Sequence, residues 1–172
     1  MNQFDRSPYA RRGRRAPWRL VTAVLLLVLV PLGASNAQDQ CRATTPAVEA
    51  MPAITLVIAG EQELPARLAS IAAHRRAGMQ HLCPAAVRDL VILFRFPEPR
   101  RPRFHMNNVH APLDIAFLST TGRVVSVHRM RPGQNGTTGP DRYVAAAVEL
   151  PAGRAKELGI ERGIRIEQVT SN

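Results

Sequence analysis

The chain is short of several things that common functions require. Aromatic residues make up only 5% of it, too few to line a basic segment with the stacking platforms that single-stranded nucleic acid needs. Nucleic acid is therefore not an expected partner. Lysine is nearly absent: Lys156 is the only one, and the remaining positive charge is arginine. No pair of histidines has the His-x-x-x-His spacing of a helical zinc site. There are two cysteines, Cys41 and Cys83, and neither stands at a spacing from a histidine or basic residue that compels a reactive thiolate. No cofactor is implied, and catalysis is not expected.

Long apolar runs are also missing. The longest, from Leu20 to Val30, falls short of the roughly 20 residues that span a bilayer. Its setting is that of a secretory signal: Arg6, Arg11, Arg12, Arg14, Arg15 and Arg19 precede it, Pro31 and Gly33 follow, and Ser35 and Ala37 are small residues placed for cleavage after Ala37. An uncleaved anchor is the competing reading, and the only route by which the chain would hold a membrane. Ala16-Pro17-Trp18 fits a twin-arginine signal poorly. The expectation is a periplasmic or secreted protein.

Cleavage leaves 135 residues with 17 basic and 12 acidic side chains, a net charge of +5 against +10 for the whole chain. That length suits one domain with one core. In an oxidising compartment, two cysteines suggest a disulfide between Cys41 and Cys83. Two unpaired thiols, with Cys41 in a frayed tail, remain the alternative.

Residues 38–52 read as a linker and 53–172 as a single domain. Strands are expected over 54–59, 89–96, 115–118, 124–128, 143–150 and 164–169. A moderate amphipathic helix is expected over 64–82, from the stripe Leu64, Leu68, Ile71, and a short one over 154–158 with Gly159 closing it. The prolines at 97, 99 and 102 predict an extended loop from 97 to 103. Residues 130–142 form a long Gly/Pro/Asn-rich loop, mobile or functional. The expected class is α+β and β-rich, a mostly antiparallel small barrel with one moderate and one short helix.

Four short motifs stand in one order: Phe94-Arg95-Phe96-Pro97-Glu98-Pro99; Phe104-x-Met106-x-Asn108 with Pro112-Leu113-Asp114; Gly122-Arg123-Val124-Val125; and Glu149-Leu150-Pro151-Ala152-Gly153 with Leu158-Gly159-Ile160-x-x-Gly163. Together they resemble the prokaryotic family known as domain of unknown function 192, from about residue 74 to 166. The resemblance implies a compact β-rich domain, often secreted, with no established activity. The chain departs from the family pattern where His105, Asn107 and Val109 replace the usual Trp, Lys and Thr. Ile164 replaces an Asp after Gly163, a Pro-Cys pair is missing from the long loop, and Leu90 and Val91 stand where a Gly precedes the core strand.

The candidate site is the stretch 104–114. His105, Asn107, Asn108 and Asp114 are its candidate ligand-binding residues. His105, His110 and Asp114 could supply three metal ligands if a bend at Asn107-Asn108 brought them together. The competing reading makes Asp114 an acceptor for backbone N–H groups of a turn, and Met106 core. Arg95, Arg100, Arg101 and Arg103 form a basic patch, either simply solvated or a contact for an anionic envelope component. Two functions follow: an exported, non-catalytic binding or accessory domain, or a metal-assisted or hydrolase-like enzyme centred on His105, His110 and Asp114.

Overall fold

The computed structural model describes residues 41–169. The segment expected to be a signal, and its expected cleavage after Ala37, lie outside the described residues. Seven strands form one sheet: β1 (Ala53–Ile58), β2 (Gln62–Ala69), β3 (Ile92–Arg100), β4 (Leu113–Leu118), β5 (Val124–Met130), β6 (Val144–Pro151) and β7 (Ile166–Val169). Their order is β5-β4-β6-β3-β2-β1-β7. Every pairing is antiparallel except β2 with β3. Four short helices accompany them: α1 (Pro46–Glu49), α2 (Ala72–Ala77), α3 (Pro84–Val87) and α4 (Arg154–Glu157).

The sheet curls into a half-barrel, and its two end strands meet at their first residues. Val124 donates its N–H to the Ile164 carbonyl at 2.8 Å, and Ile166 donates to the Gly122 carbonyl at 2.9 Å. Inside the curl, all seven strands contribute to one apolar cluster, with Ala155 and Ile160 closing the open side. A second cluster fills the other face of β3, β4, β5 and β6, beneath the helices and the 104–111 segment. The central strands therefore have two apolar faces. This is the sandwiched pattern expected from the apolar residues at 90–96, and β4 is buried at all six positions.

The helix expected over 64–82 is not there. Leu64, Ala66 and Leu68 are buried while Gln62, Glu63 and Pro65 are exposed, which is the alternation of a strand. Leu64 and Leu68 are four apart, a spacing that fits both periods; Ala66 between them decides for the strand. Pro65, which has no N–H to donate, precedes the point where β3 joins at Arg67, so no bond to β3 is lost there. Only α2 survives from that prediction, and it ends at Gly78, whose φ of +49° few residues but glycine adopt. The proline loop is corrected as well. Strand β3 runs through Pro97 and Pro99 because its register against β6 shifts between Arg95 and Arg100, where the missing N–H groups break no ladder.

The presumed linker is packed onto the domain over its described part. Thr45 caps α1, its Oγ1 accepting from the Val48 N–H at 3.3 Å, and Val48 and Met51 are buried. Cys41 and Cys83 are joined by a disulfide, and Arg42 exchanges backbone hydrogen bonds with His81 and Cys83 beside it.

Candidate functional site

Asp114 lies on β4, buried at 4% exposure, and its two oxygens are engaged. Oδ1 accepts from Arg129 Nε of the paired strand at 2.5 Å. Oδ2 accepts from the N–H groups of Gly153 at 2.7 Å and Ala155 at 3.3 Å, at the start of α4. A carboxylate there satisfies amides that a helix start leaves unpaired. Asp114 thus ties α4 across the end of the half-barrel.

The other three candidate ligand residues lie elsewhere. Asn107 and Asn108 are exposed in a turn. Asn108 has a φ of +58°, a conformation asparagine tolerates, and its carbonyl accepts from the His81 N–H at 2.7 Å. His105 lines a cleft beneath α2. His110 is half-buried and lines neither that cleft nor the cavity beside Asp114. Among the described residues, no three His, Cys, Asp or Glu side chains stand together as a metal would require. The turn at Asn107-Asn108 forms as expected, but it does not gather His105, His110 and Asp114.

The cleft that His105 lines was not anticipated. It has a volume of about 480 Å³ and runs between α2, the end of β3 and the segment after it. Arg75 and Arg76 line it from α2, Arg100 from β3, and Arg103 and His105 from the segment that follows. Phe94, Phe96, Phe104 and Val109 supply apolar surface, and the Phe94 and Phe104 rings meet edge to face at 5.1 Å. Arg75 donates to the carbonyls of Ser70 and Arg95. None of these four arginines has a carboxylate partner among the described residues. The basic patch read from the sequence is divided: Arg100 and Arg103 face the cleft, while the Arg95 side chain reaches Gln168 on β7 and Arg101 is exposed.

Glu149 also lines the cleft. It stands in the middle of β6, directly between Ile92 of β3 and Ile115 of β4. The residue is 5% exposed, and its Oε2 has no hydrogen-bond partner among the described residues. Burial among apolar neighbours disfavours the charged form and raises its pKa from 4.5 to about 8. At neutral pH the carboxyl is mostly protonated, with an O–H to give. Gly78 allows α2 to pass close over it: a Cβ there would lie 3.5 Å from Oε2 and 3.5 Å from the Phe94 ring.

Glu149 and the α2 arginines escaped the sequence reading. The signal was present in the strand Val144-Ala145-Ala146-Ala147-Val148-Glu149-Leu150, where one ionisable residue interrupts an apolar run. A charge at a sheet centre has no cheap structural explanation. The arginines were hidden by the helix assigned over 64–82, which gave α2 no defined start.

Comparison with known proteins follows the same outline. A protein from Sinorhizobium meliloti 1021, provisionally named a transcription regulator, shares 27% identity and a TM-score of 0.60, over 69% of this chain and 95% of that one. A protein of unknown function from Novosphingobium aromaticivorans DSM 12444 shares the fold at 23% identity and a TM-score of 0.59, over 72% of this chain and 98% of that one. No curated protein matches. The model of DUF192, described as uncharacterized ACR, matches residues 54–168, and the chain belongs to that family.

Proposed function

We propose that this protein is an exported, non-catalytic binding domain that holds an anionic ligand in the cleft beneath α2. The observation that carries the reading is the company of Arg75, Arg76, Arg100 and Arg103 around one cavity, without a carboxylate partner among the described residues. Four positive charges lining one cavity favour an anion there, which can accept the N–H donors they leave free. The volume of about 480 Å³ is that of a small-molecule site. Export is supported by the signal pattern before Gln38 and by the Cys41–Cys83 disulfide, a bond that persists in oxidising compartments. The source of such a ligand is then the cell envelope, where acidic head groups and glycans are at hand. The enzyme reading centred on His105, His110 and Asp114 draws no support from a geometry in which the Asp114 oxygens are already taken.

Thermal denaturation of the mature protein with inorganic phosphate, octanoate and hexyl phosphate tests the proposal. At least one anion should raise the midpoint, since a ligand at 100 times its Kd stabilises by about 2.7 kcal/mol. Replacing Arg100 and Arg103 together by alanine should abolish most of that rise. No shift with any of the three, or an equal shift in the double variant, would contradict it.

A further inference from the structure

The cleft couples two features that a simple anion site does not need together. Its rim is basic, yet its floor holds a carboxyl group. Among the described residues, Glu149 Oε2 is buried without a partner, and no arginine comes within ion-pair distance of it. Its neighbours across the sheet are Ile92 and Ile115. Beside it the wall is apolar, from Phe94 and Phe104. A buried polar atom left unpaired costs about 1–3 kcal/mol, and a ligand atom that pairs with it recovers that loss on binding.

From this geometry we infer that the cleft takes an organic oxyanion, a carboxylate or phosphate ester with a short apolar body, and that the Glu149 carboxyl donates its proton in a hydrogen bond to one of the anion's oxygens. The inference rests on the proposed anion-binding function and adds the ligand's class and its partner at the floor. An ammonium group at the floor is disfavoured by the arginines above it. A neutral alcohol would leave those arginines unserved. An acid donating to an oxyanion satisfies both, and such charge-assisted bonds are roughly twice as strong as neutral ones. The apolar wall then selects an anion with a hydrocarbon body over inorganic phosphate.

The donor exists only while Glu149 is protonated, so the ligand binds together with a proton. With a free-state pKa of about 8, the affinity for octanoate, fully ionised throughout, should be flat from pH 6 to 7.5 and then fall, approaching tenfold per pH unit. The other groups near the floor are Arg75 and Arg76 of α2, Arg100 of β3, and Arg103 and His105 of the following segment. The arginines stay charged throughout this range. The other ionisable side chains nearby are His105, which lines the cleft, and His74, buried on α2. The variant Glu149→Gln separates their contribution, because its amide donates a hydrogen bond of similar shape and does not ionise.

The experiment is calorimetric titration of wild type and E149Q with octanoate, hexyl phosphate and inorganic phosphate between pH 6 and 9.5. The expected result is tighter binding of the two organic anions than of inorganic phosphate. Wild-type affinity should drop at least tenfold between pH 7 and 9.5, while E149Q stays within about threefold of its own pH 7 value across the range. Wild-type binding that is unchanged with pH would overturn the role of Glu149 and leave the arginine cleft standing as an anion site. A parallel fall in E149Q would also overturn it, placing the titration elsewhere. Absence of binding by any probe in either protein would overturn the anion site and this inference together.

Discussion

Glu149 carries the most consequences at the scale of single residues. Its pKa is raised in the folded chain, so between about 4.5 and 8 the folded protein holds a proton that the unfolded chain has lost. Stability therefore falls as pH rises through that window, by up to about 1.4 kcal/mol per unit, and levels off above it. Chemical denaturation of wild type and E149Q across pH 4 to 9 measures this. The difference should open above pH 5 in favour of the glutamine variant and stop growing above pH 8. Gly78 offers a second test. Alanine there meets only ordinary contacts, but the φ of +49° strains it, and G78A should lose about 1–3 kcal/mol while narrowing the cleft above Glu149. At Gly122 the constraint is harder, because a Cβ would sit 2.7 Å from the Ile166 carbonyl across the seam of the half-barrel. Asp114→Asn should cost about 2–3 kcal/mol by weakening the bonds to Arg129, Gly153 and Ala155, measured by the same denaturation, without altering anion binding.

Among the elements, those with a single unambiguous period were legible. Strands β1, β4, β5 and β6 fall within one or two residues of their expected places, and Gly159 closes α4 with a φ of +62°. The hairpin between β4 and β5 turns on Gly122, as its position predicted. The failure over 64–82 has a physical cause: leucines four apart satisfy both a helix and a strand, the small Ala66 between them is a weak signal for the strand, and pairing with β1 and β3 fixes it. That error displaced Arg75 and Arg76, and with them half of the cleft. The long loop expected over 130–142 lies at 131–143, between β5 and β6, and its Thr138 pairs with Phe104. The disulfide was one of two open readings, and it joins residues 42 apart. Replacing both cysteines with serine should cost about 4 kcal/mol in the chain-entropy model and release α1 from its place over Met79 and Leu82. Equal midpoints for oxidised wild type and the double serine variant would show that the crosslink constrains little.

For the molecule as a whole, family membership and fold leave function open, since one fold hosts many sites. The distinguishing feature is the placing of a carboxyl group at the centre of a sheet with two apolar faces, under a rim of arginines. A structural role alone would be served better by a leucine at that position, because the unpaired carboxyl weakens the core it sits in. Proton-coupled binding in the cleft depends on the protonation state of Glu149. Carbon-13 NMR of the glutamate side-chain carboxyl in labelled mature protein, with E149Q to assign the resonance, reads that state directly. The resonance should keep its protonated shift through pH 7 and change with a midpoint near 8. Saturating octanoate should move that midpoint higher. A resonance that titrates near the ordinary value of 4.5, unmoved by octanoate, would contradict the account.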